Sequence, residues 1–390
     1  MIIAGNKKTT PKTDKQSPTK ARLATNSIKV KLIGLFIAVS LCLTYFYQIR
    51  PWAMGIPGNS TNLWVFTADA SLNQHVNSLY NTWRPRIGGL WIAGRLVDGI
   101  MKDGLINPQD YQSNNIIVLN VTSQANQQVI GNYFYTEDYR NCFGLYHAVW
   151  LFLLFLILLF MAEDPVFVMF GCFAGLFYML TPRAFYYSYP WDIPSMVFFT
   201  LSYLLWLRQK YAGMLVVIFF GTLFKETVAV TAFLFFFTHL VWRKRFLYFG
   251  IAAVSTCLLK VAVTMAVDGK IEIQTAAVTS HGSSGTYLTM VTGLQEIFTP
   301  NVNHFIFLNA GTFLVALFLP MRTQIQKGTK TILIIFFAGQ LLAGVMSEFR
   351  IMLEVLPVSI LYLRRTLTDW TSPQPVPVVA QGKTASQGKK

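Results

Sequence analysis

Long runs of apolar residues, separated by short polar segments, dominate the chain from residue 32 onward. A helix that crosses the hydrocarbon core of a bilayer needs about 20 mostly apolar residues, with a range near 17–25. The runs therefore predict an all-α, polytopic membrane protein with about ten transmembrane helices, several of them short. The predicted spans are 32–49, 143–161, 166–181, 193–208, 211–224, 227–242, 246–267, 304–320, 330–346 and 350–364.

The polar segments form two tails, several short connections and two long loops. In the first long loop, apolar residues between Ile87 and Met101 recur at spacings of 3, 4 and 7. This pattern predicts either a helix lying in the outer membrane interface or a small helix packed on the other loops. The predicted divisions are disordered cytosolic tails at 1–31 and 365–390, a transmembrane domain at 32–364, and long outer loops at 50–142 and 268–303.

The composition supports a membrane location but leaves an apparent contradiction in the net charge. Only 13% of the 390 residues are charged, against about 25% in an average soluble domain, which excludes an ordinary cytosolic enzyme. The chain nevertheless carries a formal net charge of +15. In a soluble protein such a charge would indicate a nucleic-acid partner.

The distribution of charge along the chain resolves this contradiction. With the first tail placed in the cytosol, the inner segments contain 21 of the 32 Lys and Arg residues but only 4 of the 17 acidic residues. The outer half contains 11 cations and 13 acids, and is close to neutral. Excess Lys and Arg in cytoplasmic loops is the signature of membrane orientation. We therefore expect both termini in the cytosol, a lipid bilayer as a partner and no nucleic acid.

Ionisable residues at the outer ends of the predicted spans are the main functional signal. Charged groups within or beside spans are costly and usually mark a functional site, whereas the inner ends carry mainly the cations expected from orientation. The charged residues predicted at outer ends or in outer loops include Asp69, Arg84, Arg86, Glu137, Asp138, Arg183, Asp192, Lys225, Glu226, Glu348, Arg350 and Glu354.

Lys225 and Glu226 interrupt an apolar run that would otherwise extend from Met214 to Trp242. This interruption predicts two short helices joined by a tight outer turn. Adjacent residues on a helix point in different directions, so we do not expect these two side chains to pair with each other. They are either parts of a functional site or turn residues at the water boundary, although a simple turn usually recruits Gly, Pro or Asn.

The last predicted span opens on a second charged group. Ser347 could cap this helix, and Glu348 would be stabilised by the helix dipole. Arg350 and Glu354 are four residues apart and could pair on one helical face. An Arg near the positive helix end also suits an anionic ligand, because its planar fork matches phosphate oxygens.

Two further outer charges have both structural and functional interpretations. Asp192 precedes Pro194 and is predicted to be a helix N-cap. Arg183 lies in an aromatic-rich turn that could hold a sugar and a phosphate. Lys260, about two turns inside its span, either extends to the outer interface or points into a polar cavity between helices.

The many spans, cytosolic ends, long first outer loop and charged outer turns resemble the GT-C superfamily of integral-membrane glycosyltransferases. The resemblance implies inverting sugar transfer from a polyprenyl-phosphate donor to a glycan, lipid or protein acceptor. It also implies that a first-loop aspartate, here Asp69, is the catalytic base. The chain departs from the family pattern here, because many members carry an acidic pair closer to the first span. The predicted substrate- and phosphate-binding residues are Arg84, Arg86, Arg183, Lys225, Glu226, Glu348 and Arg350.

Other functions and locations remain open. No Cys and His spacing predicts a zinc site, and a divalent cation is an open possibility. The same charges could serve a transporter or flippase for a lipid-linked or anionic solute. A third possible function is a surface-glycan polymerase or ligase, which needs outer-loop arginines and often a histidine, here His75 or His281. We expect a bacterial inner-membrane protein; the glycosylation sequons at Asn59 and Asn120 would suit the endoplasmic reticulum membrane instead.

Overall fold

The described part of the chain is almost entirely helical, and no strand occurs in it. The computed structural model describes residues 18–49, 88–89, 92, 137–179, 191–268, 316, 318, 321–343 and 353–371. The helices in chain order are α1 (Pro18–Thr44), a π-helix (Tyr45–Ile49), α2 (Glu137–Met161), α3 (Pro165–Met179), α4 (Asp192–Leu207), α5 (Tyr211–Thr222), a 3-10 helix (Glu226–Phe237), α6 (Trp242–Asp268), α7 (Gln324–Ala343) and α8 (Leu356–Thr371). The prediction of an all-α fold is confirmed for these residues.

Three helical segments in the described part are long and apolar enough to cross a membrane. They are Ile28–Tyr47, Gly144–Met161 and Trp242–Ala266. Shorter apolar helices account for four further predicted spans. The 12 residues of the 3-10 helix rise about 24 Å, against about 18 Å for the 12-residue α5. Ten spans and cytosolic termini stay predictions.

Two helix boundaries differ clearly from the predicted ones. Helix α1 begins at Pro18, so part of the predicted tail 1–31 is helical. Proline suits a first helical position, and no further Pro or Gly occurs before Gly34. Helix α8 begins at Leu356 rather than at residue 350, after a 3-10 turn at 353–355, and continues to Thr371. Hydropathy misses such shifts because polar helix formers continue a helix without adding apolar character.

Helix α4 forms the centre of the described bundle, and α6 lies at its edge. Most side chains of α4 are buried, and the helix packs against α2, α5 and the 3-10 helix. In contrast, only 11% of the apolar stretch of α6 is buried. Large apolar side chains exposed on α6 are Phe246, Leu247, Ile251, Val254, Leu258, Val261 and Met265. Such a surface is compatible with a lipid environment.

Charged residues that the sequence places on the inner side meet at one end of the bundle. The guanidinium of Arg364 in α8 lies 2.5 Å from the Asp164 carboxylate, just before α3. Arg208, which follows α4, donates a 2.8 Å hydrogen bond to the carbonyl of Phe160 near the end of α2. These two contacts connect segments that are far apart in sequence: α8 with the start of α3, and the end of α4 with the end of α2.

A glycine allows the close approach of α5 to α4. A Cβ atom added to Gly221 would lie 2.7 Å from Cγ1 of Val228 and 2.8 Å from Cβ of Phe198. Both distances are shorter than ordinary van der Waals contact between carbon atoms. Gly221 is also two residues before the turn that carries the charged pair, so this contact supports the position of that turn.

We expect Gly221→Ala to lower the free energy of unfolding by about 1–3 kcal/mol, because the added methyl group overpacks the helix contact. Gly250→Ala is the matched control, since a Cβ at Gly250 meets nothing within 4 Å. The control should be neutral or stabilising by about 0.5–1 kcal/mol, the usual gain from removing a mid-helix glycine. Thermal unfolding of both variants in detergent measures the difference, and equal stabilities would contradict the close contact.

Candidate functional site

The turn between α5 and the 3-10 helix directs Lys225 into the protein interior. The Lys225 amide donates to the Gly221 carbonyl at 3.0 Å, and its backbone is extended with φ −157° and ψ 132°. Only 5% of the residue is exposed. The structure thus confirms the prediction of two short helices joined by a tight turn at this charged pair.

The Lys225 ammonium lies between two buried carboxylates from other parts of the chain. Its Nζ atom is 2.5 Å from Oε1 of Glu354 and 3.6 Å from Oδ1 of Asp192. Both acidic residues are fully buried. The Thr227 hydroxyl donates a hydrogen bond to Oε2 of Glu354. We call these four residues the Lys225 cluster.

Asp192 enters the Lys225 cluster from the first turn of α4, and its predicted capping role is wrong. Asp192 is the first residue of the helix, Trp191 is at the N-cap position, and no side chain caps this end. The backbone carbonyl of Asp192 accepts a hydrogen bond from the Ser195 hydroxyl at 2.8 Å. The carboxylate is therefore turned towards Lys225 rather than used to close the helix end.

Glu354 enters the cluster from the 3-10 turn that precedes α8. The predicted pairing of Arg350 with Glu354 stays a prediction, because Arg350 lies outside the described residues. The Glu354 carboxylate contacts Lys225 and Thr227. Sequence spacing suggested a local partner, while the observed partners are more than 120 residues away.

Two carboxylates and one ammonium without solvent form a costly arrangement. Each charge loses its hydration on burial, and only close pairing and hydrogen bonding offset that loss. The cluster contains one more acidic group than basic group, so full ionisation would leave one net negative charge. The arrangement can join three helix ends rigidly, and it can respond to a proton or a cation that reaches it.

Glu226 points away from Lys225, as expected for adjacent residues. Its carboxylate lies 3.5 Å from the Lys260 ammonium, and both side chains are partly exposed, at 43% and 33%. Lys260 was predicted either to extend to the outer interface or to point into a polar cavity between helices. Its contact with a partly exposed carboxylate favours the first of these positions. The pair connects the start of the 3-10 helix to α6.

Part of the predicted interfacial helix contacts the same turn. The described residues of that stretch, Gly88, Gly89 and Ile92, are helical. The Gly88 amide donates to the carbonyl of Leu223 at 3.0 Å. A Cβ atom on Gly88 would lie 3.1 Å from the Phe224 ring, so a larger residue would push the two segments apart. The first long loop therefore reaches the turn that carries the Lys225 cluster.

The structure brings together only some of the predicted site residues. Lys225 and Glu226 lie at the described site but have different partners. Asp192, Thr227 and Glu354 join the site although they were not among the predicted binding residues. The signal that could have identified Asp192 and Glu354 is that both are acidic and lie at outer ends of predicted spans. The predicted site residues outside the described ranges are Asp69, Arg84, Arg86, Arg183, Glu348 and Arg350.

The described residues hold no group of three or more His, Cys, Asp or Glu side chains suited to a metal ion. The buried carboxylates of Asp192 and Glu354 both lie within contact distance of the Lys225 ammonium. A positive group is thus already present between these carboxylates.

We expect Lys225→Met to lower the free energy of unfolding by about 3–5 kcal/mol, because it leaves two buried carboxylates without their cation. Lys260→Met is the control, since the partly exposed pair with Glu226 should contribute at most about 1 kcal/mol. Denaturation of the purified variants measures both effects. Adding Glu354→Leu to Lys225→Met should recover part of the lost free energy of unfolding. Equal losses in Lys225→Met and Lys260→Met would refute the burial argument.

The chain matches no protein-family model, no curated protein and no solved structure. Its function is therefore inferred from the geometry of the Lys225 cluster and from the distribution of charge along the sequence.

Proposed function

We propose that the chain is an integral membrane protein of about ten spans that transfers a sugar from a polyprenyl-phosphate donor to an acceptor. The reaction would take place at the outer end of the bundle, with both termini in the cytosol. The observation that carries this proposal is the convergence of Asp192, Lys225 and Glu354 with Gly88 of the first long loop. All four come from segments that the charge distribution assigns to the outer side.

Chain connectivity brings two of the proposed phosphate ligands near this convergence. Consecutive residues span at most about 3.6 Å each, so Arg86 lies within about 7 Å of Gly88 along the backbone. By the same limit, Arg350 lies within about 14 Å of Glu354. We therefore include Arg86 and Arg350, from two segments that are close in sequence to this site, among the proposed phosphate ligands.

The proposed reaction is a single displacement at the anomeric carbon. Asp69 accepts the proton of the acceptor hydroxyl as its oxygen forms the new glycosidic bond. The bond from the anomeric carbon to the phosphate oxygen breaks, and the leaving polyprenyl phosphate keeps the electron pair. Arginine side chains stabilise the charge that grows on this phosphate, which lowers the barrier selectively. Attack from the opposite face inverts the anomeric configuration.

The Lys225 cluster has a positioning role in this proposal. Lys225 is already neutralised by two carboxylates, so it is less suited than the outer arginines to bind a phosphate directly. Its contacts hold the turn on which the first loop rests, and Glu226 remains partly exposed beside that turn. The proposed role of this turn is to support the neighbouring segments whose arginines would bind the donor phosphate. A bacterial inner membrane is the proposed location.

The excess of buried acid favours one second function, a transporter coupled to protons or cations. Intramembrane carboxylates paired with Lys are typical of ion and proton pathways. In that function Asp192 and Glu354 would exchange a proton or a cation during each transport cycle, and Lys225 would act as the competing positive group.

Purified protein offered a panel of polyprenyl-phospho-sugars should release polyprenyl phosphate with at least one donor. We expect Asp69→Asn to lower this turnover by at least about 100-fold, the usual contribution of a general base. Asp110→Asn, in the same predicted loop, is the matched control and should remain active. Normal transfer by Asp69→Asn would overturn the assignment of the base. If no donor is turned over and liposomes that contain the protein take up a lipid-linked or anionic solute, the protein is a transporter instead.

A further inference from the structure

A cavity of about 490 Å³ lies at the end of the bundle away from the Lys225 cluster. It is lined by residues near the end of α4, including Arg208, whereas Asp192 begins the same helix. The 16 residues of α4 separate these two sites by about 24 Å. The volume is within the range of about 300–1,000 Å³ that is typical of small-molecule sites. The proposed glycosyl transfer does not use this cavity.

The charged residues that line the cavity are three arginines and two acids. Arg364 is paired with Asp164 at 2.5 Å. Arg208 donates to the Phe160 carbonyl, and Arg365 lines the cavity from α8. Neither Arg208 nor Arg365 forms a salt bridge with any other residue that the structure describes. Glu163 adds one opposing negative charge, so two guanidinium groups face one carboxylate after the Arg364 pair is set aside.

The rest of the lining is mainly apolar. Branched aliphatic side chains come from four different helices, and Tyr203 and Thr368 add hydroxyl groups. The Tyr203 phenol shares a 3.0 Å hydrogen bond with the Thr329 hydroxyl. The branched aliphatic lining residues are Val168, Leu204, Leu207, Ile325 and Leu361. An apolar wall beside guanidinium groups that have no carboxylate partner among the described residues fits a ligand that has both a charged group and a hydrocarbon part.

We propose that this cavity binds a phosphate ester, with Arg208 and Arg365 as its ligands. The planar guanidinium fork matches phosphate oxygens better than any other side chain. Basic pockets between helices on the cytoplasmic side of a membrane are a known mode of anionic headgroup recognition. The phosphate can belong to a phospholipid of the adjoining leaflet or to a soluble ester from the cytosol.

Binding of phosphatidylglycerol to the full chain in nanodiscs tests the proposal. The variant Arg208→Gln/Arg365→Gln should bind this lipid at least about tenfold more weakly, since it removes the charge-assisted hydrogen bonds to the phosphate. The matched control is Arg243→Gln/Lys244→Gln, which removes the same charge from exposed positions at the start of α6. The control should change the affinity less than about twofold.

Two further variants separate binding from structural damage. Arg365→Gln alone leaves the hydrogen bond of Arg208 to α2 intact, and it should still weaken binding. Glu163→Gln should strengthen binding, because it removes the opposing charge; a merely damaged cavity would not produce a gain. Equal losses of lipid affinity in Arg208→Gln/Arg365→Gln and Arg243→Gln/Lys244→Gln would refute the proposal. Such a result would indicate only diffuse attraction between the protein surface and anionic lipid.

The source of the phosphate is determined by a second arm in phosphatidylcholine nanodiscs, titrated with glycerol 3-phosphate. Saturable binding that is lost in Arg208→Gln/Arg365→Gln supports the site and identifies a soluble ester. Binding of phosphatidylglycerol alone, with the same loss, supports the site and identifies a lipid headgroup. Failure of both ligands to bind the wild-type chain would overturn the proposal.

Discussion

Burial of the Lys225 ammonium between Asp192 and Glu354 is the constraint on which the described site depends. Three charges without solvent are tolerated only when their distances are short and their remaining hydrogen-bonding atoms have partners. The cluster therefore fixes the start of α4, the turn after α5 and the segment before α8 in one relative position. The first long loop rests on that same turn through Gly88. The contacts of the Lys225 cluster therefore set the relative positions of the segments at this end of the bundle.

The opposite end of α4 follows a different principle. There the side chains of the Arg364 pair with Asp164 are both partly exposed, and residues from several helices line a cavity. Pairs of this kind contribute little to stability, so they can rearrange around a ligand. One end of the bundle is thus held by buried ionic contacts, and the other retains arginines that are free of acidic partners among the described residues.

The helical character and the division of the apolar run at Lys225 could both be predicted from hydropathy and charge. The opposite directions of Lys225 and Glu226 also followed from their adjacency. The partners of Glu354 and Asp192 could not be predicted, because local rules assigned each residue a neighbour in sequence. Asp192 was expected at a helix cap and Arg350 was the expected local partner of Glu354, whereas the observed partner of both carboxylates is the ammonium of Lys225 from a third segment.

By itself the sequence determined that the described chain is built of apolar helices, and it separated a cation-rich set of segments from a nearly neutral one. These properties depend on composition and periodicity, which are local. Only the tertiary structure decided which outer charges meet, because burial makes an unpaired charge costly and Lys225 meets Glu354, which lies more than 120 residues further along the chain. The same packing decided that Arg208 and Arg365 line one cavity, since the ends of α4 and α8 become neighbours only in the folded bundle.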